Sequence, residues 1–139
     1  MAKADGPDGG MKQRRATPEG AAEESRAFWL EAYRDFLSLE AGNARHTVEN
    51  YGRDIRRMIS FLVSRGTRDP KRVDPRILRE FIFHLKDLGL APASIRRQIS
   101  ASRSYFRFLV AEGHLAADPS GQLETPKAWR KLQIGRAHV

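Results

Sequence analysis

From Ala93 to Leu109 the chain reads ASIRRQISASRSYFRFL, a stretch whose apolar spacing suits a helix and not a strand. Ile95, Ile99, Ser102, Phe106 and Leu109 recur at intervals of three and four, which places them on one helical face that must be covered by a core. Arg96, Ser100, Arg103 and Arg107 form a second stripe at i, i+4, i+7 and i+11, flanked by Arg97 and Ser104, and no acidic residue interrupts it before Glu112. A guanidinium stays ionised and offers a planar fork of donors, so such a row can hold phosphate oxygens or the acceptor edge of guanine, and small Ser and Ala neighbours let the helix sit deep in a groove. The same stripe also fits the solvated face of an ordinary helix.

Three more helices follow from the same spacing. Between Glu23 and Ala41, Trp29, Tyr33, Phe36, Leu37 and Glu40 keep helical phase, and Gly42 is a natural stop. A second helix spans Arg45 to Arg65, with Val48, Tyr51, Ile55, Met58, Ile59 and Leu62 as its apolar stripe, and Gly66 beyond its end. Its other side carries Thr47, Asn50, Arg53, Arg56 and Arg57, and Glu49 stands at i, i+4 to Arg53 in the order that favours an ion pair. In the third, Asp74 is the cap, Pro75 the first helical residue, and Ile77, Leu78, Phe81, Ile82, Leu85 and Leu88 the core face before Gly89. The fourth begins at Pro92 after the poor cap Ala91 and closes at Gly113. No stretch alternates with period two, and three connections are short, which predicts a compact all-α four-helix bundle.

The chain divides into a tail (1–22), a bundle (23–114) and a linker (115–139). The tail, rich in Gly, Pro and charge, has little that could offset the entropy of ordering it and is expected to be disordered, with Lys12, Arg14 and Arg15 adding weak contacts to a polyanion. The linker is marked by Pro119, Gly121 and Pro126, and the closing IGRAHV has no periodicity. The 139 residues carry a formal net charge of +8. The excess lies inside the bundle, where Arg45 to Val110 holds fifteen cationic side chains against six acidic ones. That balance favours a polyanion, nucleic acid above all. No long apolar run or N-terminal apolar segment occurs, so neither a membrane span nor secretion is expected.

Chemistry is sparse. The chain has no cysteine, which fits a reducing cytosolic setting, and its four histidines have no mutual i, i+4 spacing, so neither metal nor cofactor is expected. Tyr33, Tyr51 and Tyr105 lie in or beside apolar stripes without a local base, so they read as structural rather than nucleophilic. There is no glycine-rich phosphate loop and no pair of carboxylates on one apolar face, so no catalytic residue and no small-molecule substrate is expected.

HTVENYGRDIRRMISFL, LAPASIRRQISASRSYFRFLVAEG and the following ADPSGQLETPK together resemble the N-terminal core-binding, SAM-like domain of the tyrosine recombinases, the lambda-integrase-like family, and within it the bacterial Xer recombinases. The resemblance covers about Glu23 to Lys131, and the linker is more similar to the XerD type than to the XerC type. It rests on Thr47, Tyr51 and Asp54, the Arg96–Arg97 pair, the aromatic run from Arg103 to Leu109, and the spaced Asp-Pro-Ser and Pro-Lys of the linker. It implies a domain that clamps duplex DNA with its second and fourth helices while a separate catalytic domain, beyond Val139, cuts and rejoins strands. On that match Thr47, Asn50, Arg53, Ser94, Arg96, Arg97 and Arg103 fall on the DNA face, and the charge stripes add Arg57 and Ser100. Implied partners are duplex DNA and, through the full-length protein, other recombinase protomers, with a cytoplasmic role in resolving chromosome dimers. Ala44 and Ala91 depart from the family's capping Ser or Thr, and Gly52 interrupts the second helix, so local stability is expected to suffer there. A different class fits the composition as well: a helical adaptor whose arginines meet an acidic protein.

Overall fold

The computed structural model describes residues 18–40 and 44–129. Five α-helices follow in order, α1 Pro18–Ala27, α2 Leu30–Leu39, α3 Arg45–Ser64, α4 Pro75–Asp87 and α5 Pro92–Ala111, with a 3-10 turn at Pro70–Arg72 between α3 and α4. No strand occurs among the described residues, so the all-α expectation holds. The two twenty-residue helices, α3 and α5, make the most extensive pairing, and α2 and α4 pack against them.

The core is the one the apolar phases demand. Ile55, Met58 and Leu62 of α3, Leu78, Phe81, Ile82 and Leu85 of α4, and Ile95, Ile99, Phe106 and Leu109 of α5 are buried in one cluster with Tyr33 and Leu37 of α2. The Asp74 carboxylate accepts from the Ile77 amide at 2.9 Å, and Pro75 follows it, so α4 begins as its sequence predicts. Ala44 and Ala91 make no side-chain cap bond, as expected of alanine. Gly113 ends α5 at φ 84, a left-handed turn that lets the His114 amide bond back to the Leu109 carbonyl at 2.8 Å.

The first helix of the sequence reading is two helices. The chain breaks at Phe28–Trp29, and Trp29 adopts φ 59, ψ 33, a left-handed conformation that a bulky residue keeps only under external constraint. Three contacts supply it: the Phe28 ring is fully buried, its carbonyl accepts from the Tyr105 hydroxyl at 2.7 Å, and the Trp29 ring stacks on His114 with centroids 3.8 Å apart. Trp29 is accordingly 41% exposed instead of a core residue. Helix α1 also starts at Pro18, so Pro18–Ala22 are helical where the composition suggested tail. Residues 1–17, 41–43 and 130–139 lie outside the described residues, and with them the basic tail cluster, the Gly42 stop and IGRAHV.

Gly52 has a packing reason. A Cβ there would lie 3.3 Å from Arg34 Nε of α2, so the glycine that weakens α3 lets α2 cross it closely. The start of the linker stays against the bundle as well. The Asp118 carboxylate accepts from both the amide and the hydroxyl of Ser120 at 2.7 Å, Leu123 is buried, and Trp129 meets the edge of Phe83 of α4 at 5.2 Å.

Candidate nucleic-acid interface

Helices α3 and α5 carry the arginines, and the seam between them fixes some and leaves others to solvent. At its centre is Asp54, wholly buried, one turn before Met58 on the apolar side of α3. A buried carboxylate is tolerable only when paired and hydrogen-bonded. Asp54 Oδ2 accepts from Arg97 Nε at 2.7 Å and Oδ1 from Arg97 Nη2 at 3.0 Å, while Arg57 Nη1 reaches Oδ1 at 3.2 Å. Gln98, also buried, accepts from Arg57 Nη1 at 3.2 Å through Oε1, and its Nε2 donates to the Asp54 carbonyl at 3.0 Å and to Ser102 Oγ at 3.3 Å. Every polar side chain in this cluster therefore has a partner. The Asp54 hydrogen bonds, the largest cause, and the Asp54 charge hold the Arg97 pKa above its usual value, against a smaller opposing effect of burial.

Outside the seam, Arg53, Arg56, Arg96, Ser100 and Arg107 are exposed, and Thr47, Asn50, Arg57, Ser94, Arg97 and Arg103 are partly so. Helical phase puts Asn50, Arg53 and Arg57 on one flank of α3, and Ser94 and Arg97 on the flank of α5 that meets Asp54. Arg53 does not pair with Glu49 as its spacing suggests; its Nη1 donates to Asn50 Oδ1 at 3.1 Å. Arg103 leaves the stripe in another way: its Nη2 donates to the Leu123 carbonyl of the linker, and its buried Nε has no partner among the described residues. Arg97 and Arg57 are likewise engaged by protein groups, a fact that charge patterning did not reveal. Asp54 entered the sequence reading only as part of the resemblance, and Gln98 was not singled out; the available signal was a polar residue in core phase, Asp54 on α3 and Gln98 with Ser102 on α5.

The tyrosines lie in or against the core. Tyr33 and Tyr105 are fully buried, and Tyr51 packs on the core cluster. Burial is the largest effect on the Tyr33 phenol and pushes its pKa up, despite a hydrogen bond to Ser104 at 2.9 Å, and burial likewise pushes Tyr105 up. Unfolded tyrosine ionises near pH 10, so above about that pH the unfolded chain has released protons that the folded chain still holds, and stability falls as pH rises. Each of the two phenols removes up to about 1.4 kcal/mol per pH unit in that range. Helical content followed by circular dichroism through about pH 9–12 should fall together with the appearance of tyrosinate absorbance, and Tyr33→Phe should move the loss to higher pH. Ionisation of Tyr33 and Tyr105 near pH 10 with the helices intact would contradict it.

Among the described residues no group of His, Cys, Asp or Glu could hold a metal ion, and no helix is long and apolar enough to cross a membrane.

The described residues thus form a basic, all-helical domain in which two arginine-bearing helices are joined by a buried ion-pair seam. The chain belongs to the phage integrase N-terminal SAM-like domain family, whose model matches residues 30–113. It is 35% identical over 103 residues to the tyrosine recombinase XerC of Xanthomonas campestris pv. campestris (strain B100), covering 74% of this chain and 32% of that protein. It is 40% identical over 108 residues to the tyrosine recombinase XerD of Rhizobium meliloti (strain 1021), covering 76% of this chain and 34% of the relative. With XerD of Staphylococcus epidermidis (strain ATCC 12228 / FDA PCI 1200) the identity is 33% over 103 residues, or 74% and 35% of the two chains. Both Xer types are thus among the relatives, and the chain spans about a third of their length. No solved structure matches it significantly.

Proposed function

We propose that this chain is the DNA-holding module of a site-specific tyrosine recombinase of the Xer kind, gripping one half-site of duplex DNA with α3 and α5. The observation that carries this reading is the concentration of exposed arginines, Arg53, Arg56, Arg96 and Arg107, on the two helices that flank the Asp54 seam, in a domain of the integrase family. On this reading Thr47, Asn50, Arg53, Arg57, Ser94, Arg96, Arg97 and Ser100 face the duplex. Arg103, tied to Leu123, would link that face to the chain leading towards a catalytic domain. The strand chemistry would reside in that further domain, and the cellular setting would be cytoplasmic, with chromosome dimer resolution as the task and other recombinase protomers as partners.

Charge reversal distinguishes this face from a generally basic surface. Arg53→Glu with Arg96→Glu should weaken binding to a short duplex by well over tenfold at fixed salt, because two repulsive charges replace two phosphate contacts. Arg76→Glu with Arg79→Glu, on exposed positions of α4, should have a much smaller effect. Equal losses from both pairs, or binding that an acidic polypeptide competes away better than duplex DNA does, would favour an adaptor domain.

A further inference from the structure

Arg97 has two hydrogen-bonding edges, and Asp54 occupies only one of them. Its Nε and Nη2 donors both go to the buried carboxylate, so the side-on edge of the guanidinium is closed by a bidentate pair at 2.7 and 3.0 Å. The other edge, Nη1 with the second hydrogen of Nη2, makes no hydrogen bond among the described residues, and the side chain is 35% exposed. A planar, delocalised fork with one edge fixed has the direction of its second edge fixed too. We propose, building on the DNA reading above, that Asp54 is a positioning residue that presents the free edge of Arg97 to a base edge with paired acceptors, of which guanine O6 and N7 are the natural fit.

Three observations support this assignment. Asp54 is itself immobilised: it is wholly buried, Gln98 Nε2 holds its carbonyl at 3.0 Å, and Arg57 Nη1 holds its carboxylate at 3.2 Å. Withdrawing Arg97 from the seam to reach a ligand would strip a buried carboxylate of its principal partner, so Arg97 must read from where it stands. Ser94 lies one turn earlier on the same flank of α5, partly exposed, with a side chain too short to cover the guanidinium as a long one in its place would. A fixed donor pair loses little rotamer entropy on binding, which favours discrimination between bases over raw affinity. Arg56, Arg96 and Arg107 have no such partner among the described residues and suit phosphates, which demand charge more than direction.

The test uses a duplex recovered by the wild-type chain from a random-sequence pool and a scrambled duplex of the same composition, with affinities for both measured at one salt concentration. The variants are Asp54→Asn, Arg97→Ala, Arg97→Lys and the double variant Asp54→Asn/Arg97→Ala, each checked for folding by thermal melting. Asp54→Asn should reduce the ratio of preferred to scrambled affinity by about tenfold, the scale of one bidentate base contact, while scrambled binding rises, because the variant removes the one negative charge shared by Arg57 and Arg97. In the Arg97→Ala background the same change should cost no further preference, a coupling that a purely structural role of Asp54 would not produce. Arg97→Lys keeps the charge and the ion pair but has no second edge, so it should retain scrambled affinity and lose preference even if Asp54→Asn proves unstable. A wild-type chain that binds no duplex overturns the DNA reading and this assignment with it. A wild-type chain that binds but shows no preference, or preference that survives Asp54→Asn or Arg97→Lys, overturns the positioning role alone.

Discussion

Raising salt from about 50 to about 200 mM should weaken duplex binding by the purified chain roughly 250- to 1,000-fold. Each phosphate neutralised contributes about −0.9 to the slope of log affinity against log salt. Four arginines on α3 and α5, Arg53, Arg56, Arg96 and Arg107, are exposed and make no ion pair among the described residues. Arg57 and Arg97 add less than two, because both share the single charge of Asp54 and bring a net of one cation to the DNA. Four to six contacts therefore set the slope at about −4 to −5. Titration by fluorescence anisotropy at several salt concentrations measures it, and a slope near zero would remove the electrostatic basis of the interface. Salt dependence alone does not identify the polyanion, since an acidic protein surface is screened in the same way. Competition by unlabelled duplex against an acidic polypeptide supplies the identity.

Which parts of this molecule could be read from its sequence follows from the range of the interactions involved. Core positions on α3, α4 and α5 were legible because period and phase are local: Ile95, Ile99, Ser102, Phe106 and Leu109 are all buried. The Asp74–Pro75 start and the Gly113 stop were legible for the same reason, since caps act within one turn. The break at Trp29 was not. The apolar phase from Trp29 through Tyr33 to Leu37 continues smoothly, and the contacts that hold the bend come from far along the chain: His114 stacks on Trp29, and Tyr105 donates to the Phe28 carbonyl across 77 positions. The arginines illustrate the same limit from the side of charge. Patterning identified Arg97 and Arg103 as members of a basic helix, but their partners, Asp54 at a separation of 43 and Leu123 at 20, are set by how the helices and linker pack. A stripe of charge thus predicts a surface. Which members of it are free is decided by tertiary contacts.

Tyr105→Ala should be the most damaging single truncation in the domain, at about 4 kcal/mol or more. The ring is fully buried, meets Tyr33 edge-on with centroids 5.5 Å apart and Phe106 at 4.9 Å, and its hydroxyl is the hydrogen-bond donor to the Phe28 carbonyl. Truncation removes the buried aromatic surface, opens a cavity between α2 and α5, and leaves a buried carbonyl at the α1–α2 break without that donor. Domains of this size hold roughly 5–15 kcal/mol in total, so the variant should lose a large fraction of its stability and melt about 20 °C lower. Tyr105→Phe separates the two contributions. It keeps the ring and deletes only the hydroxyl, at about 1–2 kcal/mol, and with it one of the contacts that hold Trp29 in its left-handed conformation. Leu39→Ala is the control, since Leu39 is 85% exposed and its truncation should change stability by less than about 0.5 kcal/mol. Urea unfolding monitored by circular dichroism ranks the three. If Tyr105→Phe destabilises as much as Tyr105→Ala, the hydroxyl at the helix break holds this corner of the domain; if it costs no more than Leu39→Ala, aromatic packing alone does so.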